Sequence, residues 1–307
     1  MGDRDIAGEQ ARASDAPCPA GCRTPARRLC ALGEHDIARC PECGVFVLEG
    51  DARGKAGLDR TEFEAALRSL RLANYARILR RLEQLVPLRG RTLLDVGCST
   101  GWFLQLAGRA GCECYGIEPD GFFYERLRSA PLPGARIVQG YFAHDVPADW
   151  GRFDIISFHD VFEHLPEPAA ILHAVRERLA AHGLLVLSLP VADGFVFQLA
   201  RLLRRLGIAG PLARAFQVNY PYPHLFYFTR RSIRILAERS GFEILRLESL
   251  RSFSARGALH RARLDRTDDR LGRLARYASA TALVGFAVVQ RLLPADNVLV
   301  ILRPTAA

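Results

Sequence analysis

Between Arg91 and Leu189, short apolar runs alternate with stretches whose apolar residues return at helical spacing. The runs predict strands over 92–96, 113–118, 135–139, 153–158 and 183–189. The periodic stretches predict helices over 101–110, 121–129 and 168–180. Apolar runs without polar alternation suit strands covered on both faces. Repeated strand–helix–strand units imply an α/β fold, a doubly wound parallel sheet with helices on both sides. Ligands in such sheets bind beyond the carboxyl ends of the strands. Gly97–Gly101, Glu118, Tyr141-Phe142 and Phe158-His159 all fall at such ends.

The flanks read differently. Thr61-Glu62-Phe63-Glu64 has the form of a capping box. The helix it opens carries Phe63, Leu67, Leu70, Tyr75, Ile78, Leu82 and Leu85 at helical spacing, stops before Pro87, and is expected to lie over the ligand edge as a lid. Phe195–Leu206 reads as a basic amphipathic helix, and Asn219–Phe228 as an aromatic, proline-rich loop containing His224. Thr229 then caps a helix ending at Gly241, and Phe242–Glu248 and Asn297–Arg303 read as strands. Four parts result: a disordered tail over 1–16, a cysteine-rich ribbon over 17–50, a linker and lid helix over 51–90, and the α/β domain over 91–307. The insertions at 193–228 and 250–296 are expected to form a substrate cover.

The net charge is +9, with arginine the main cation. That suits an anionic partner such as nucleic acid, a phosphorylated substrate or a membrane surface; a GC-rich genome would enrich arginine equally. Residues 1–16 lack the apolar stretch of a secretory signal, which predicts a cytoplasmic protein. No run reaches the ~18 apolar residues of a membrane span, and Ala278–Val289 falls short of it. Helices over 195–206 and 276–293 could make peripheral membrane contact, or simply pack on the domain.

Four of the eight cysteines stand in two close pairs, Cys18/Cys22 and Cys40/Cys43, around Pro-Ala-Gly and Pro-Glu. Such pairs present two thiolates each to one tetrahedral ion, which predicts a structural zinc knuckle in a reducing compartment. Cys30 and His35 are substitute ligands, and a ribbon that has lost its metal is the alternative.

The central motif is Leu94-Asp95-Val96-Gly97-Cys98-Ser99-Thr100-Gly101, a buried strand breaking into a small-residue turn. Such a turn lets a ligand approach bare backbone. Gly116-Ile117-Glu118-Pro119 follows at the spacing that places a carboxylate on ribose hydroxyls. With Phe153-Asp154-Ile155-Ile156-Ser157, Asp160-Val161-Phe162-Glu163-His164-Leu165-Pro166 and the later Gly241-Phe242-Glu243, the chain resembles the class I S-adenosylmethionine-dependent methyltransferases. The branch is that of the ubiquinone-pathway, sugar and natural-product O-methyltransferases, some of which carry an N-terminal cysteine ribbon. The resemblance implies a Rossmann-like seven-stranded sheet whose last strand is antiparallel. It implies S-adenosyl-L-methionine held by Gly97, Cys98, Ser99 and Gly101 at its methionine and ribose portion. Asp95 would brace the turn, Glu118 hold the ribose, Tyr141 and Phe142 flank the adenine, and His159 lie near the methyl. Two positions depart from the pattern. Ser99 replaces the middle glycine of the turn, and Tyr141 stands where an acid often reads the adenine, leaving that to backbone or Asp145.

Methyl transfer needs alignment and removal of a proton from a weakly acidic nucleophile. Asp160, Glu163 and His164 at i, i+3 and i+4 would share one helical face. Three readings stay open: His164 or His159 as general base oriented by Glu163, a divalent ion at Asp160/Glu163/His164, or a set that only caps and packs. His224 is a candidate substrate contact. The expected acceptor is a small molecule, with or without a lipid or carrier, at oxygen of a sugar, quinone or natural product. An RNA methyltransferase and a non-catalytic scaffold are the rivals. Nucleic acid is disfavoured because the basic residues are spread rather than clustered with stacking aromatics. A dehydrogenase would share the glycine turn but not the Glu163-His164 segment.

Overall fold

A computed structural model of the chain describes residues 17–50, 60–218, 220–252 and 293–305. The tail over 1–16, the linker over 51–59, Asn219, the side chains of Arg60, Glu62 and Phe63, and most of the second insertion, including the helix expected over 276–293, lie outside the described residues.

The parallel core is built as its hydrophobic pattern requires. Strands β4 (Thr92–Val96), β5 (Glu113–Glu118), β6 (Ala135–Gln139), β7 (Phe153–His159) and β8 (Leu179–Pro190) run parallel. They are joined to β10 (Phe242–Leu250) and β11 (Asn297–Pro304) in one seven-stranded sheet of order β10-β11-β8-β7-β4-β5-β6. The last strand, β11, lies between β10 and β8 and is antiparallel to both. Leu93, Leu94, Ile155, Ile156, Leu185 and Val186 are fully buried, because helices cover both sides.

On one face, α1 (Arg60–Glu83) and α2 (Trp102–Arg109) bury Ile78, Leu82, Phe103 and Leu104 against Leu93, Ile155 and Val186. On the other, α4 (Pro168–Arg178) and α7 (Arg230–Arg239) bury Leu172, Val175, Ile233 and Leu236 against Leu94, Phe158 and Leu187. The helix α3 (Gly121–Ser129) links β5 to β6 and is capped by Asp120, whose carboxylate accepts the Phe122 N–H. The helix expected over 168–180 ends at Arg178, because Leu179 already pairs with Phe153 and extends β8 backwards. No helix among the described residues is long and apolar enough to cross a membrane.

The ribbon does not stand as a unit of its own. Strands β1 (Arg27–Leu32) and β2 (His35–Arg39) form a hairpin about Gly33-Glu34, and β3 (Phe46–Glu49) pairs with β2. The fourth strand, β9 (Phe226–Tyr227), comes from the aromatic loop and pairs antiparallel with β3. The boundary expected at residue 50 is therefore crossed by a shared sheet. One side of that sheet packs Leu32, Ile37, Phe46 and Leu48 on α5 (Phe195–Arg205) and α6 (Gly210–Ala215), through Phe197, Leu212 and Phe216.

Candidate active site

The turn after β4 is shaped by positions that need a left-handed backbone. Gly97 has φ 67°, and a Cβ there would meet Val161 Cγ2 at 2.6 Å. Gly101 has φ 70°, and a Cβ there would run into Leu132. Ser99, where the pattern's glycine is missing, still adopts φ 47°, an uncommon conformation for a side-chain-bearing residue. Its Oγ is buried with no hydrogen-bond partner among the described residues. Cys98 offers the turn its backbone. Its thiol is buried and turned toward Gly116, where a Cβ would lie 2.9 Å from the sulfur.

Glu118, at the end of β5, is 4% exposed. Its Oε2 accepts the Ser99 N–H at 2.6 Å and its Oε1 the Asp120 N–H at 2.9 Å. Burial pushes its carboxyl up to about 7, against the pull of those two N–H groups. Each oxygen keeps a lone pair for a further donor. Asp120 also accepts the Tyr222 hydroxyl at 2.9 Å, so the aromatic loop reaches across to the loop after β5.

The expected adenine flank divides. Tyr141 is 64% exposed, and its N–H is held by Asp145 Oδ2 at 2.7 Å. Phe142 turns into the core against Phe158, ring centroids 5.5 Å apart. Its expected role beside a ligand is thus replaced by packing, because the chain reverses at Ala143 (φ 78°). Asp145 is engaged in holding that reversal.

Asp95 and His159 form a buried pair under the turn. Asp95 accepts the Ser157 hydroxyl at 2.8 Å, and burial pushes it up to about 8. His159 Nε2 lies 4.0 Å from Asp95 Oδ1, and Nδ1 lies 2.9 Å from Ser188 Oγ. The imidazole sits between Tyr75 of α1 (5.1 Å) and Phe103 of α2 (4.1 Å). Burial, helped by Arg71, holds it down to about 3. It therefore stays neutral at ordinary pH.

Asp160, Glu163 and His164 do not share a helical face. β7 ends at His159, Asp160 takes φ 55°, and Phe162–His164 is a single 3-10 turn. Asp160 points to α1, its Oδ2 3.6 Å from Arg71 Nε, while Arg71 also binds Glu64 at 2.6 Å. The partner of Glu163 and His164 is instead His224, and one donor atom from each of the three lies within 4.8 Å of the others. Glu163 is fully buried, and neither carboxylate oxygen has a hydrogen-bond partner among the described residues. Burial drives its carboxyl well above the usual range. His164 Nδ1 lies 2.8 Å from the Pro223 carbonyl. A carbonyl only accepts, so Nδ1 carries the proton and Nε2 keeps its lone pair. The two imidazoles are 4.7 Å apart, and His224 Nε2 is 3.9 Å from Glu163 Oε1. A buried carboxyl with neither oxygen bonded among the described residues, facing two imidazoles, keeps a charge only if a cation or donor occupies the site.

Cys18, Cys22, Cys40 and Cys43 also converge, their sulfurs all within 4.8 Å of one another and Cys18 3.5 Å from Cys43. Gly21 (φ 73°) and Gly44 (φ 79°) turn the two knuckles, their N–H groups donating to the Cys18 and Cys40 carbonyls. All eight cysteines are free thiols. Tetrahedral zinc at about 2.3 Å per sulfur fits such a cluster. Cys30 and His35 lie outside it.

Sequence reasoning missed Arg71, Tyr75, Ser157 and Ser188. Tyr75 carried a signal as an apolar-face position of α1, and Ser157 as the last residue of the Phe153–Ser157 motif.

A family model for the methyltransferase domain matches residues 67–247, more than half of the chain. The ubiquinone biosynthesis O-methyltransferase of Cereibacter sphaeroides is 32% identical over 111 residues, 36% of this chain and 45% of that protein. The tRNA U34 carboxymethyltransferase of Aliivibrio salmonicida is 28% identical over 173 residues, 53% of this chain and 48% of that protein. The chain thus spans about half the length, or less, of these curated relatives. Among solved structures, mycolic acid cyclopropane synthase complexed with SAH and CTAB superposes with TM-score 0.54 at 19% identity, over 74% of this chain and 83% of that one. The likeness is one of fold.

Proposed function

The chain belongs to the methyltransferase domain family and is a class I S-adenosylmethionine-dependent methyltransferase, and from that premise we propose that it methylates an oxygen of a small-molecule acceptor beside Glu163, His164 and His224. The carrying observation is the buried Glu163 carboxylate, unpartnered and facing two imidazoles at the end of the strand next to the cofactor turn.

S-adenosylmethionine supplies a methyl already activated by a sulfonium leaving group. The residues present fit it. Gly97 and Gly101 hold the turn in a left-handed backbone packed on Val161 and Leu132, the Ser99 hydroxyl is buried without a partner among the described residues, and Glu118 holds a carboxyl at the second strand end. In this reading Gly97, Ser99 and Gly101 receive the methionine and ribose portions, Glu118 accepts from the ribose, and Asp95 and His159 form the floor. Tyr141 is left as the one adenine flank.

Glu163, His164 and His224 fit a divalent cation better than a general base. One carboxyl and two imidazoles, with a donor atom from each within 4.8 Å of the others, form a mixed oxygen and nitrogen set of the kind that holds a divalent cation. A cation held there would lower the pKa of a hydroxyl bound to it. Zinc at the four cysteines would be structural, since all four positions are filled by thiols.

A second reading, methylation of RNA, is favoured by the net charge of +9 and by the tRNA-acting relative. The two are separated by radiolabelled methyl transfer to a panel of catechols, glycosides and bulk tRNA, with Mg²⁺ and with chelator. Label on a small-molecule oxygen, abolished by chelator and by Glu163→Gln, is expected. Label confined to tRNA overturns the small-molecule reading.

A further inference from the structure

The cysteine cluster and the Glu163/His164/His224 cluster are joined by a short run of main-chain contacts. Cys40 and Cys43 lead directly into β3. There Phe46 pairs with Tyr227 and Val47 with Phe226. The peptide of Leu225 links both clusters: its carbonyl accepts the Leu48 N–H at 2.9 Å, and its own N–H donates to the Glu163 carbonyl at 3.0 Å. Thr229 Oγ1 donates to the Cys43 carbonyl at 2.8 Å, fastening the far end of the same strand to the knuckle. His224 lies immediately before this strand, with its ring 5.3 Å from that of Tyr227. Tyr227 in turn stacks on Phe197 at 4.3 Å, and Phe197 meets Phe46 at 5.0 Å.

We propose that the cysteine ribbon is a positioning element for the second cluster, fixing His224 against Glu163 and His164, so that zinc at the four cysteines governs divalent-cation affinity there. This rests on reading Glu163, His164 and His224 as a cation site. β9 has two residues, and β3 is its strand partner among the described residues, with Phe228 just beyond it bridged to Val191. A strand that short does not hold its own place. β3 in turn follows the Cys40/Cys43 knuckle, and small zinc ribbons are ordered by their metal. Loss of zinc therefore loosens β3 and β9, and leaves His224 with its N–H bond to the Phe216 carbonyl at 2.9 Å but without the strand that sets its ring against Glu163 and His164. Both sides of the ribbon sheet are already committed to this domain. Val45 and Val47 pack with Phe226, Phe228 and Leu236 on one side, and Phe46 and Leu48 with Phe197 and Phe216 on the other. That suits an internal wall more than a module displayed to a partner.

The test measures Mn²⁺ binding by electron paramagnetic resonance, and SAH binding by calorimetry, on full-length protein of known zinc content. Wild type, Cys40→Ser/Cys43→Ser, His224→Ala and the combined variant are compared. The cysteine variant is expected to bind Mn²⁺ about tenfold or more weakly, the range that loss of outer-shell support costs a metal site, with SAH affinity kept. In the His224→Ala background the cysteine changes are expected to add nothing. Thr229→Val, which keeps all four thiols, is expected to weaken Mn²⁺ binding with zinc content intact. Unchanged Mn²⁺ affinity in the zinc-free variant overturns the inference. So does loss of SAH binding in step with Mn²⁺, because the ribbon would then support the whole domain. Wild type that binds no Mn²⁺ overturns the cation reading itself, and this inference with it.

Discussion

The Ser99 N–H donates to Glu118 Oε2 across 2.6 Å, so the turn after β4 is held by the carboxylate that ends β5. The same carboxylate anchors Asp120, the cap of α3. Glu118 therefore shapes the cofactor turn as well as offering itself to a ribose. Hydrogen bonds to a charged group contribute about 1.5–3 kcal/mol each. Glu118→Ala is expected to weaken SAH binding by at least about tenfold, a factor worth about 1.4 kcal/mol, and to lower thermal stability. Calorimetric titration checks the first and a melting scan the second; unaltered SAH affinity would remove Glu118 from the site.

Gly97 and Val161 form a second test of the turn. Gly97→Ala meets both a left-handed φ of 67° and Val161 Cγ2 at 2.6 Å. The backbone part alone costs roughly 1–2 kcal/mol. Adding Val161→Ala is expected to recover the steric part and leave the backbone part. Denaturant unfolding of the single and double variants measures both, and identical stability of the two variants would rule out the contact as a cause.

Asp95 predicts a pH dependence. Its folded carboxyl titrates at about 8 because it is buried, against about 3.9 in an unfolded chain. Below about pH 4 both states hold the proton, so there is no penalty. As pH rises, the unfolded chain ionises first, and folding stability falls until the folded carboxyl ionises near 8. His159 acts oppositely at the acid side: its folded value of about 3 lies below the unfolded value of about 6.5, so stability falls as pH drops through that window. Asp95→Asn keeps an acceptor for Ser157 and is expected to flatten the fall toward pH 8. Melting temperatures at acid and mildly alkaline pH decide it; parallel curves for wild type and variant would count against a buried neutral Asp95.

Glu163 gives a ligand-linked prediction. A cation that binds only the folded state stabilises it by about 2.7 kcal/mol at a hundredfold excess over Kd. Mn²⁺ is expected to raise the wild-type melting temperature, and chelator to reverse the rise. Glu163→Gln, which matches the neutral carboxyl but cannot ionise to hold a cation, is expected to be as stable as wild type without metal and to gain nothing from Mn²⁺. A shift that persists in the variant would place the ion elsewhere.

The main sheet was legible because its central strands β4, β7 and β8 are buried on both faces and its elements are punctuated by glycine turns. β5, β6 and α3 fall at the expected limits, and the antiparallel last strand follows from the resemblance carried by the Asp95–Gly101 and Glu118 motifs. The glycine turn and the paired cysteines were legible for a related reason. Each depends on local chemistry, a left-handed backbone or a short thiolate spacing, that the chain writes within a few residues.

What the tertiary structure decided are relationships between distant segments. Spacing put Asp160 with Glu163 and His164, but a strand end followed by a single 3-10 turn sends Asp160 to Arg71 and brings His224 in its place. Phe142 looked like a ligand flank until the left-handed reversal at Ala143 turned it into the core. The ribbon looked self-contained until Phe226-Tyr227 supplied its fourth strand. Periodicity reports which face of one element is buried. It carries no record of which other segment does the burying, because apolar contact is non-directional and the choice of partner is made only when all the layers pack together.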